Sequence, residues 1–587
     1  MKKSIIYGLF VAALSFSAVS CDDFLDDNRY PLDKQTDSPD YWNNPVNVQA
    51  QLNAMYGYYT GYGNGTSWVN NFYYRALSDD QCYEIVSGGM QFTQWAYQYA
   101  PETNGSWDDT YAVIRKCNTV IKNVEASSLS EVEKANYSAI ARLNRAYQYW
   151  DLVRRFGDVI LVTEILDVNS EQLYVARDDR NVVMDFVLED LNYAVANISQ
   201  ESNKIEFSKD MANAMKSQIC LYEASYAKYH QNNKERADKY YAEVVEAAEA
   251  LMGKYTVCDN YQSLYNSVWT ADASRGFLSL RDNPEVIFMK GYDKGVMSHS
   301  MIKYLSSNTP ISGMTKDAFD AYLFKDGKPK SKTSCNTSDA AVVVDGKLSI
   351  EAALAERDGR LAQTIDPYLA YDGNSVMSYD INGNACTDPL ASVTGYTIKK
   401  FTNPGMTYDE STLDGQNFTN APVYWLAVVL LDYAEAKAEL GTLDDNDINN
   451  TLNKLYARAG LPAQTKASLE SMNDDANNMG VSSLLWEIRR CRRCELMFDN
   501  WNRYWDLVRW HQLHLLDTNN YPNIARGANV SNGTADMNAA IAVDGNGYID
   551  CSRGGTSVRT FTEREYLYPL GTTEITLNPA LGQNPGW

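Results

Sequence analysis

Residues 484–510 read LLWEIRRCRRCELMFDNWNRYWDLVRW, where arginines, carboxylates and aromatic side chains recur at helical spacing. The pattern predicts two helices, Leu484 to Phe498 and Trp501 to Leu515. A charge buried between such helices is costly unless it is paired. We therefore expect the charged residues of this stretch to form ion pairs that hold the helices together. Their expected role is structural rather than catalytic.

Apolar residues recur at the same helical spacing in two blocks of the chain, about 46–253 and about 422–515. In the first block, Ile140, Leu143 and Tyr147 recur at steps of three and four, which places them on one helical face. Successive antiparallel helix pairs predict a tetratricopeptide-like helical-repeat scaffold, although the repeat of about 34 residues does not align strictly. Further helices are predicted at 107–124, 182–198, 209–229, 237–251, 422–440 and 447–459.

Between the blocks, residues 254–421 form a loop-rich insert, and residues 516–587 form an irregular tail of similar composition. Val342 to Val344, followed by Asp345-Gly346, predicts a short β-hairpin. We therefore expect one domain over 46–587 that is mostly α, with loop-rich inserts and a few short hairpins. Loops of this kind usually carry recognition, while the scaffold holds them in place.

The first residues have the composition of an export signal. Lys2 and Lys3 precede an apolar run that is too short to span a bilayer, so residues 1–20 are predicted to be a signal peptide. Small residues then lead into Cys21, as in a bacterial lipobox, with Ala18 where Leu is usual. A lipidated Cys21, carrying acyl chains such as palmitate, would make residues 21–45 a lipid anchor and acidic tether. The alternative is a plain secretory cut that leaves Cys21 a free thiol.

Composition excludes several function classes. The formal net charge of -23 argues against nucleic acid, whose phosphates require Lys and Arg. No later segment is apolar for long enough to cross a membrane. Four histidines provide little material for triads or zinc hydrolysis. The 42 tyrosines and 12 tryptophans suit a core and also suit stacking on sugar rings.

The ten cysteines do not indicate a disulfide framework. With Cys21 assigned to the anchor, the other nine are scattered and odd in number. Cys491 and Cys494 form a C-x-x-C on a predicted helix, with no second pair and no nearby His to complete a zinc site. A redox pair or disulfide stays open, but we expect buried packing residues. We expect no metal and no cofactor.

Motifs in order along nearly the whole chain resemble the SusD/RagB family of outer-membrane nutrient-binding lipoproteins. Cys491, where a Glu is usual, and Trp587, which replaces a closing Tyr, depart from the family pattern. The matching segments are Cys21–Asp26; Arg142, Arg145–Tyr147 and Phe156–Val159; Glu356–Asp358 with Arg360 and Leu361; Tyr433–Ala436; Arg458–Gly460; Arg493, Glu495, Phe498, Trp505–Leu507, Arg509 and Trp510; and Asn578, Pro579 and Gln583–Trp587.

The resemblance implies a lipoprotein of the outer membrane that faces the cell exterior. Such a protein captures an oligosaccharide or polysaccharide and delivers it to a SusC-like TonB-dependent transporter, without catalysis. Relatives that resemble RagB favour peptides, so a peptide ligand stays open. A surface glycosidase and a helical-repeat adhesin are further alternatives. A glycosidase would need two placed carboxylates, and none of the 75 acidic residues can be singled out as such a pair.

Two loop regions combine aromatic faces with polar groups, which sugar recognition requires. The first is Gly61 to Tyr99, and the second lies around Trp269, Arg281 and Tyr292. We expect ligand contacts from the following residues: Trp68, Asn70, Tyr73, Arg75, Trp95, Tyr97, Trp269 and Tyr292. For each aromatic residue, burial in the core is the competing interpretation.

The anchor is tested by substitution. Cys21→Ala should release the protein from membranes, because no thiol remains to take the lipid. Fractionation of cells that express each form measures this. A variant that stays with the membranes, together with a wild-type N-terminus whose mass shows no lipid, would contradict the anchor.

Overall fold

The computed structural model describes residues 38–65, 77–85, 89–90, 95–306, 312–370, 376–379, 385–390, 392–499, 502–533 and 541–587. The α-helices α1 to α20 are, in chain order, Pro39–Trp42, Pro45–Asn53, Gly105–Ala126, Glu131–Phe156, Arg180–Asn197, Lys209–Tyr229, Lys234–Met252, Ser263–Asn266, Met301–Ser306, Lys316–Ala321, Glu351–Leu354, Gly359–Thr364, Tyr408–Thr412, Leu426–Glu439, Asp445–Asn450, Leu452–Arg458, Lys466–Glu470, Ser483–Glu495, Asn502–Arg509 and Thr572–Leu577.

The strands are short and all pair antiparallel. β1 pairs with β2 and β4, β3 with β9, β5 with β6, β7 with β8, and β10 with β11. In chain order β1 to β11 are Gln81–Ile85, Gly89–Met90, Val286–Lys290, Ser312–Met314, Val342–Val344, Lys347–Ser349, Val376–Tyr379, Ala385–Leu390, Ala421–Trp425, Arg526–Asn529 and Tyr548–Asp550.

The long helices form an array in which neighbours in sequence are neighbours in space. α3 packs on α4, α4 on α5, α5 on α6 and α6 on α7, and α14 then packs on both α7 and α18. The short connections 127–130 and 230–233 make the joined helices antiparallel. Ser130 begins α4 through a capping box with Glu133. The prediction of a mostly α, tetratricopeptide-like scaffold with loop-rich inserts and short hairpins is confirmed.

Two local assignments differ from the sequence prediction. Residues 421–425 form strand β9, although an apolar run from Pro422 had indicated helix. The segment pairs antiparallel with β3, and helix α14 begins only at Leu426. Helix α1 lies inside the segment predicted to be tether, and Trp42 on it is 2% exposed. The folded part of the chain therefore starts before residue 46.

The charged motif residues are paired, as the sequence predicted. Arg145 donates two hydrogen bonds to Asp190, at 2.8 and 2.9 Å. Arg509 donates to both carboxylate oxygens of Glu435, at 2.7 Å each. The remaining pairs are Arg142 with Asp190, Arg509 with Asp506, Arg493 with Asp80 and Asp317, and Glu495 with Arg360 and Arg458.

Eight cysteines have described side chains, and none of these eight forms a disulfide. Cys491 and Cys494 are each 1% exposed and pack in the core. Within the described ranges, no group of three or more His, Cys, Asp or Glu side chains could hold a metal ion. No helix in the same ranges has both the length and the apolar composition that a membrane span needs.

Glu435 provides a test of the buried ion pairs. Burial acts to raise the pKa of its carboxyl, but Arg509 outweighs burial and lowers that pKa to about 2 from 4.5. Glu435→Gln leaves Arg509 without this partner, so we expect the free energy of unfolding at pH 7 to fall by about 3–5 kcal/mol. Guanidinium unfolding measures this. As a control, Glu131→Gln removes an exposed carboxylate and should change stability by less than about 0.5 kcal/mol.

The stability difference between the wild type and Glu435→Gln should depend on pH. Because the folded-state pKa of Glu435 is depressed, its contribution to stability is complete above the ordinary value of 4.5 and is lost as the pH falls toward about 2. The stability difference between the wild type and Glu435→Gln should therefore shrink in that pH range. A difference that stays constant would count against an ionised Glu435 in the native state.

Candidate functional site

The two predicted loop regions meet in the folded chain. The Gly65 N–H donates to the Ser298 carbonyl at 2.7 Å, and the rings of Tyr62 and Tyr292 stack with centroids 6.3 Å apart. Gly61 makes this approach possible: its φ is +51°, and a Cβ there would lie 2.9 Å from Cδ of Lys290. Segments more than 200 residues apart in the sequence therefore pack against each other.

Trp68, Asn70, Tyr73 and Arg75 lie outside the described residues. The other two first-region candidates, Trp95 and Tyr97, make hydrogen bonds that support the fold; burial of Trp95 corrects the expectation that it faces a ligand, whereas Tyr97 is half-buried. Trp95 is 9% exposed, and its Nε1 donates to the Thr560 carbonyl at 2.8 Å. The Tyr97 hydroxyl donates to Asn104 at 3.1 Å, and Asn104 caps helix α3.

Tyr292 is also a packing residue. It is 1% exposed, and its hydroxyl donates to the Gly63 carbonyl at 2.7 Å. Its backbone N–H donates to the Asn420 side chain at 2.6 Å. Since both ends of the residue are held inside the protein, its ring offers no free face to a ligand. The burial of Tyr292 corrects the expectation from sequence that it contacts a ligand.

Trp269 has the surroundings of a binding residue. It is half-buried, and its indole lies against Gly291, where a Cβ would come within 2.5 Å of the ring. The exposed Arg281 guanidinium lies 5.9 Å from the ring centroid. The glycine thus lets the backbone support the indole, which fixes the orientation of the ring.

Beside Trp269 lies a pocket of about 330 Å³, called here the Trp269 pocket. Its lining is Val268, Trp269, Thr270, Ala271, Asp272, Phe277, Asp293 and Phe418. The buried rings of Phe277 and Phe418 pack edge to face at 5.9 Å, while Thr270 and Asp293 are exposed. The pocket therefore combines an aromatic floor with a polar rim.

On the rim of the Trp269 pocket, Asp272 is the hydrogen-bond acceptor whose protonation state follows most directly from its contacts. The Ser274 hydroxyl donates to its carboxylate at 2.6 Å, and this hydrogen bond lowers the pKa of Asp272. Asp272 is therefore ionised at neutral pH and can accept hydrogen bonds from ligand hydroxyls. Sequence reasoning missed Asp272, Phe277, Asp293 and Phe418. The only sign of this pocket in the nearby sequence is Gly276. In the structure this glycine closes a turn with φ +68°.

Comparisons with known proteins give the family. A family model described as "SusD family" matches residues 284–587, just over half of the chain. The chain belongs to the SusD family. A second model, described as "Starch-binding associating with outer membrane", matches residues 23–221. The resemblance found in the sequence motifs is thereby confirmed.

Individual relatives agree with this membership. A SusD-like protein of Formosa agariphila is 27% identical over 413 residues, which cover 69% of this chain and 69% of that one. The crystal structure of a SusD-like carbohydrate binding protein from Bacteroides fragilis matches with a TM-score of 0.65 at 19% identity, covering 92% of this chain and 99% of that one. A SusD superfamily protein from Parabacteroides distasonis matches with a TM-score of 0.59 at 19% identity, covering 92% and 99%. At these identities the two structures establish the shared fold.

Proposed function

We propose that this SusD-family protein is a cell-surface lipoprotein that captures an oligosaccharide or polysaccharide at the Trp269 pocket and does no chemistry on it. The observation that carries the proposal is the half-buried indole of Trp269, supported by Gly291 beside an acidic and hydroxylic rim. Membership of a family with a model described as starch-binding, and the fold shared with a carbohydrate binding protein, support the glycan class.

The geometry suits the two faces of a sugar ring. The C–H face of a pyranose can lie on the indole, where apolar contact removes both surfaces from water. The ring hydroxyls then reach the rim, where Asp272, Asp293 and Thr270 accept or donate hydrogen bonds. A pocket of about 330 Å³ holds one or two sugar units, so a longer glycan would continue over the surrounding surface.

The charge state of Asp272 suits hydrogen-bond acceptance and does not suit the acid role in a glycosidase. A glycosidase needs one carboxyl with a raised pKa to protonate the leaving group. The pKa of Asp272 is lowered by the Ser274 hydroxyl, so this carboxylate is a hydrogen-bond acceptor and a poor proton donor. We propose that the site is non-catalytic and needs no metal or cofactor.

The glycan class can be tested with the soluble form that lacks residues 1–21. A glycan array and affinity gels with polysaccharides should reveal a ligand. Trp269→Ala should then weaken binding at least about tenfold, because the stacking face is lost. Gly291→Ala should also weaken binding while keeping the indole, because the new Cβ pushes the ring out of place.

Trp95→Ala is the matched control for these variants. It removes a buried indole and should cost about 3–5 kcal/mol of stability, a larger loss than Trp269→Ala causes. Glycan affinity measured below the melting transition should be unchanged in Trp95→Ala. Wild-type affinity in both Trp269→Ala and Gly291→Ala would remove the Trp269 pocket from the proposal, and binding of peptides but not glycans would overturn the glycan class.

We propose that a transporter receives the ligand from this protein. The protein is proposed to sit on the outer face of the outer membrane, anchored through Cys21, and to pass its ligand to a SusC-like TonB-dependent transporter. Pull-down from native membranes in mild detergent should recover a large β-barrel protein in roughly equal amount, with an untagged strain as the control. Recovery of the SusD-family chain alone under those conditions would contradict the partnership.

A further inference from the structure

The charged side chains that line the Trp269 pocket are both carboxylates. Asp272 and Asp293 belong to the lining, and no Lys, Arg or His is among the lining residues that the structure describes. An ionised carboxylate accepts hydrogen bonds and cannot donate them, whereas an ammonium group donates three and accepts none. The rim is therefore complementary to a positively charged group that only donates.

Both carboxylates lie on turns that paired backbone hydrogen bonds close. The Asp272 N–H donates to the Phe277 carbonyl at 3.0 Å, and the Phe277 N–H donates to the Asp272 carbonyl at 2.9 Å. Asp293 and Met297 exchange two hydrogen bonds in the same way, at 2.9 and 3.0 Å. The Ser274 N–H and hydroxyl both donate to Oδ1 of Asp272, so Oδ2 can take a donor from a ligand. The backbone therefore fixes where both acids stand on the rim.

The cations beside these two turns are engaged by a buried carboxylate. Glu410 is 2% exposed and accepts from Arg275 Nη2 and from Lys294 Nζ, the latter at 2.8 Å. Arg275 also donates to the Gly405 carbonyl, at 3.0 and 2.8 Å. Neither cation lines the pocket. The negative charge of the two rim acids is therefore available to a ligand.

The indole of the pocket also favours a cation. The face of an aromatic ring is electrostatically negative and attracts a cation within about 6 Å of its centroid. The exposed Arg281 guanidinium lies 5.9 Å from the centroid of Trp269, at the outer limit of that range. A smaller ammonium group inside the pocket can come closer to the indole. The formal net charge of -23 attracts cations to the protein as a whole.

We propose that the glycan captured at the Trp269 pocket contains amino sugars with a free, protonated amine, such as glucosamine or galactosamine units. This inference rests on the proposed function and adds a ligand class to it. The C–H face of the sugar lies on the indole, and the ammonium group donates to Asp272 and Asp293. Charge-assisted hydrogen bonds are roughly twice as strong as neutral ones, so the amine is preferred to a hydroxyl or an acetamide at the same position.

Calorimetry on the full-length chain in detergent tests the amine, at about pH 6 so that the amine is protonated. D-glucosamine and D-galactosamine are the probes. Their neutral counterparts are D-glucose and D-galactose, and the N-acetylated sugars keep the nitrogen without the charge. At least one amine should bind at least about tenfold more tightly than both of its neutral forms. This advantage should shrink as salt is added, because salt screens the attraction.

The outcomes separate this inference from the proposed function. If neutral glycans bind in a Trp269-dependent way and neither amine has an advantage, the amino-sugar inference fails and the proposed function stands. If no glycan of any kind binds, both fail. Binding of lysine-containing peptides without binding of either amino sugar would also overturn the inference.

Variants of the rim acids locate the amine. Asp272→Asn and Asp293→Asn each remove one charge while nearly keeping the size of the side chain, and the amide oxygen at position 272 can still accept from Ser274. Each should weaken amine binding at least about fivefold and change binding of the neutral sugars little. Asp259→Asn removes an exposed carboxylate outside the pocket lining and should leave the affinities unchanged. Wild-type amine affinity in both rim variants would refute the proposed contacts.

Arg281→Gln gives a test with the opposite sign. The substitution removes a cation that competes for the indole of Trp269, so amine affinity should rise. A ligand that carried a negative charge would instead bind the variant more weakly. Calorimetry with the same sugars measures the change, and a lower amine affinity in Arg281→Gln would contradict a cationic ligand.

Discussion

The buried ion pair between Glu435 and Arg509 sits where the two helical blocks join. Glu435 is on α14, which packs on α7 of the first block and on α18 of the second. Arg509 is on α19 and also pairs with Asp506, while Trp510 Nε1 donates to Glu435. Because these groups are removed from water, a shift of α19 would leave charges unpaired. Arg509 also donates to the Ser225 hydroxyl on α6 at 2.7 Å, so the pair restricts where α19 lies against the first block.

The placement of α14 is connected through the backbone to Trp269. β9 leads directly into α14, and the Leu426 N–H donates to the Glu285 carbonyl at 2.9 Å. β9 pairs with β3, and β3 ends at Lys290, immediately before Gly291. Gly291 then supports the indole of Trp269. The orientation of one half-buried ring is thus connected, through paired strands, to an ion pair in the core.

The helical scaffold could be predicted from sequence because its signals are local. Apolar spacing marks each long helix, and charges beside aromatics at helical positions predict that residues such as Arg145 are ion-paired. The failed prediction at β9 has the same cause: residues 422–431 are almost uninterrupted apolar residues, and such a run does not distinguish a buried strand from a buried helix. Only pairing with β3, more than 100 residues away, decides between them.

The candidate site could be predicted only in outline, because burial of a loop aromatic depends on distant contacts. Trp95 and Trp269 both lie in loop-rich sequence with polar neighbours. Trp95 is covered by residues near Thr560, whereas Trp269 is backed by a glycine and stays half-buried. Phe418 reaches the pocket from far along the chain. No local pattern in the sequence contains these relationships.

The proposed uptake role requires release of a ligand as well as capture, and this requirement bears on how the Trp269 pocket is built. Most affinity differences between related sites arise in the dissociation rate. A fully enclosed site with many hydrogen bonds would bind tightly and release slowly. One fixed ring with a solvent-exposed rim gives orientation at little conformational cost, since Gly291 has already positioned the indole. Modest affinity at a rigid site is therefore consistent with capture followed by transfer, whereas catalysis would require groups that stabilise a transition state.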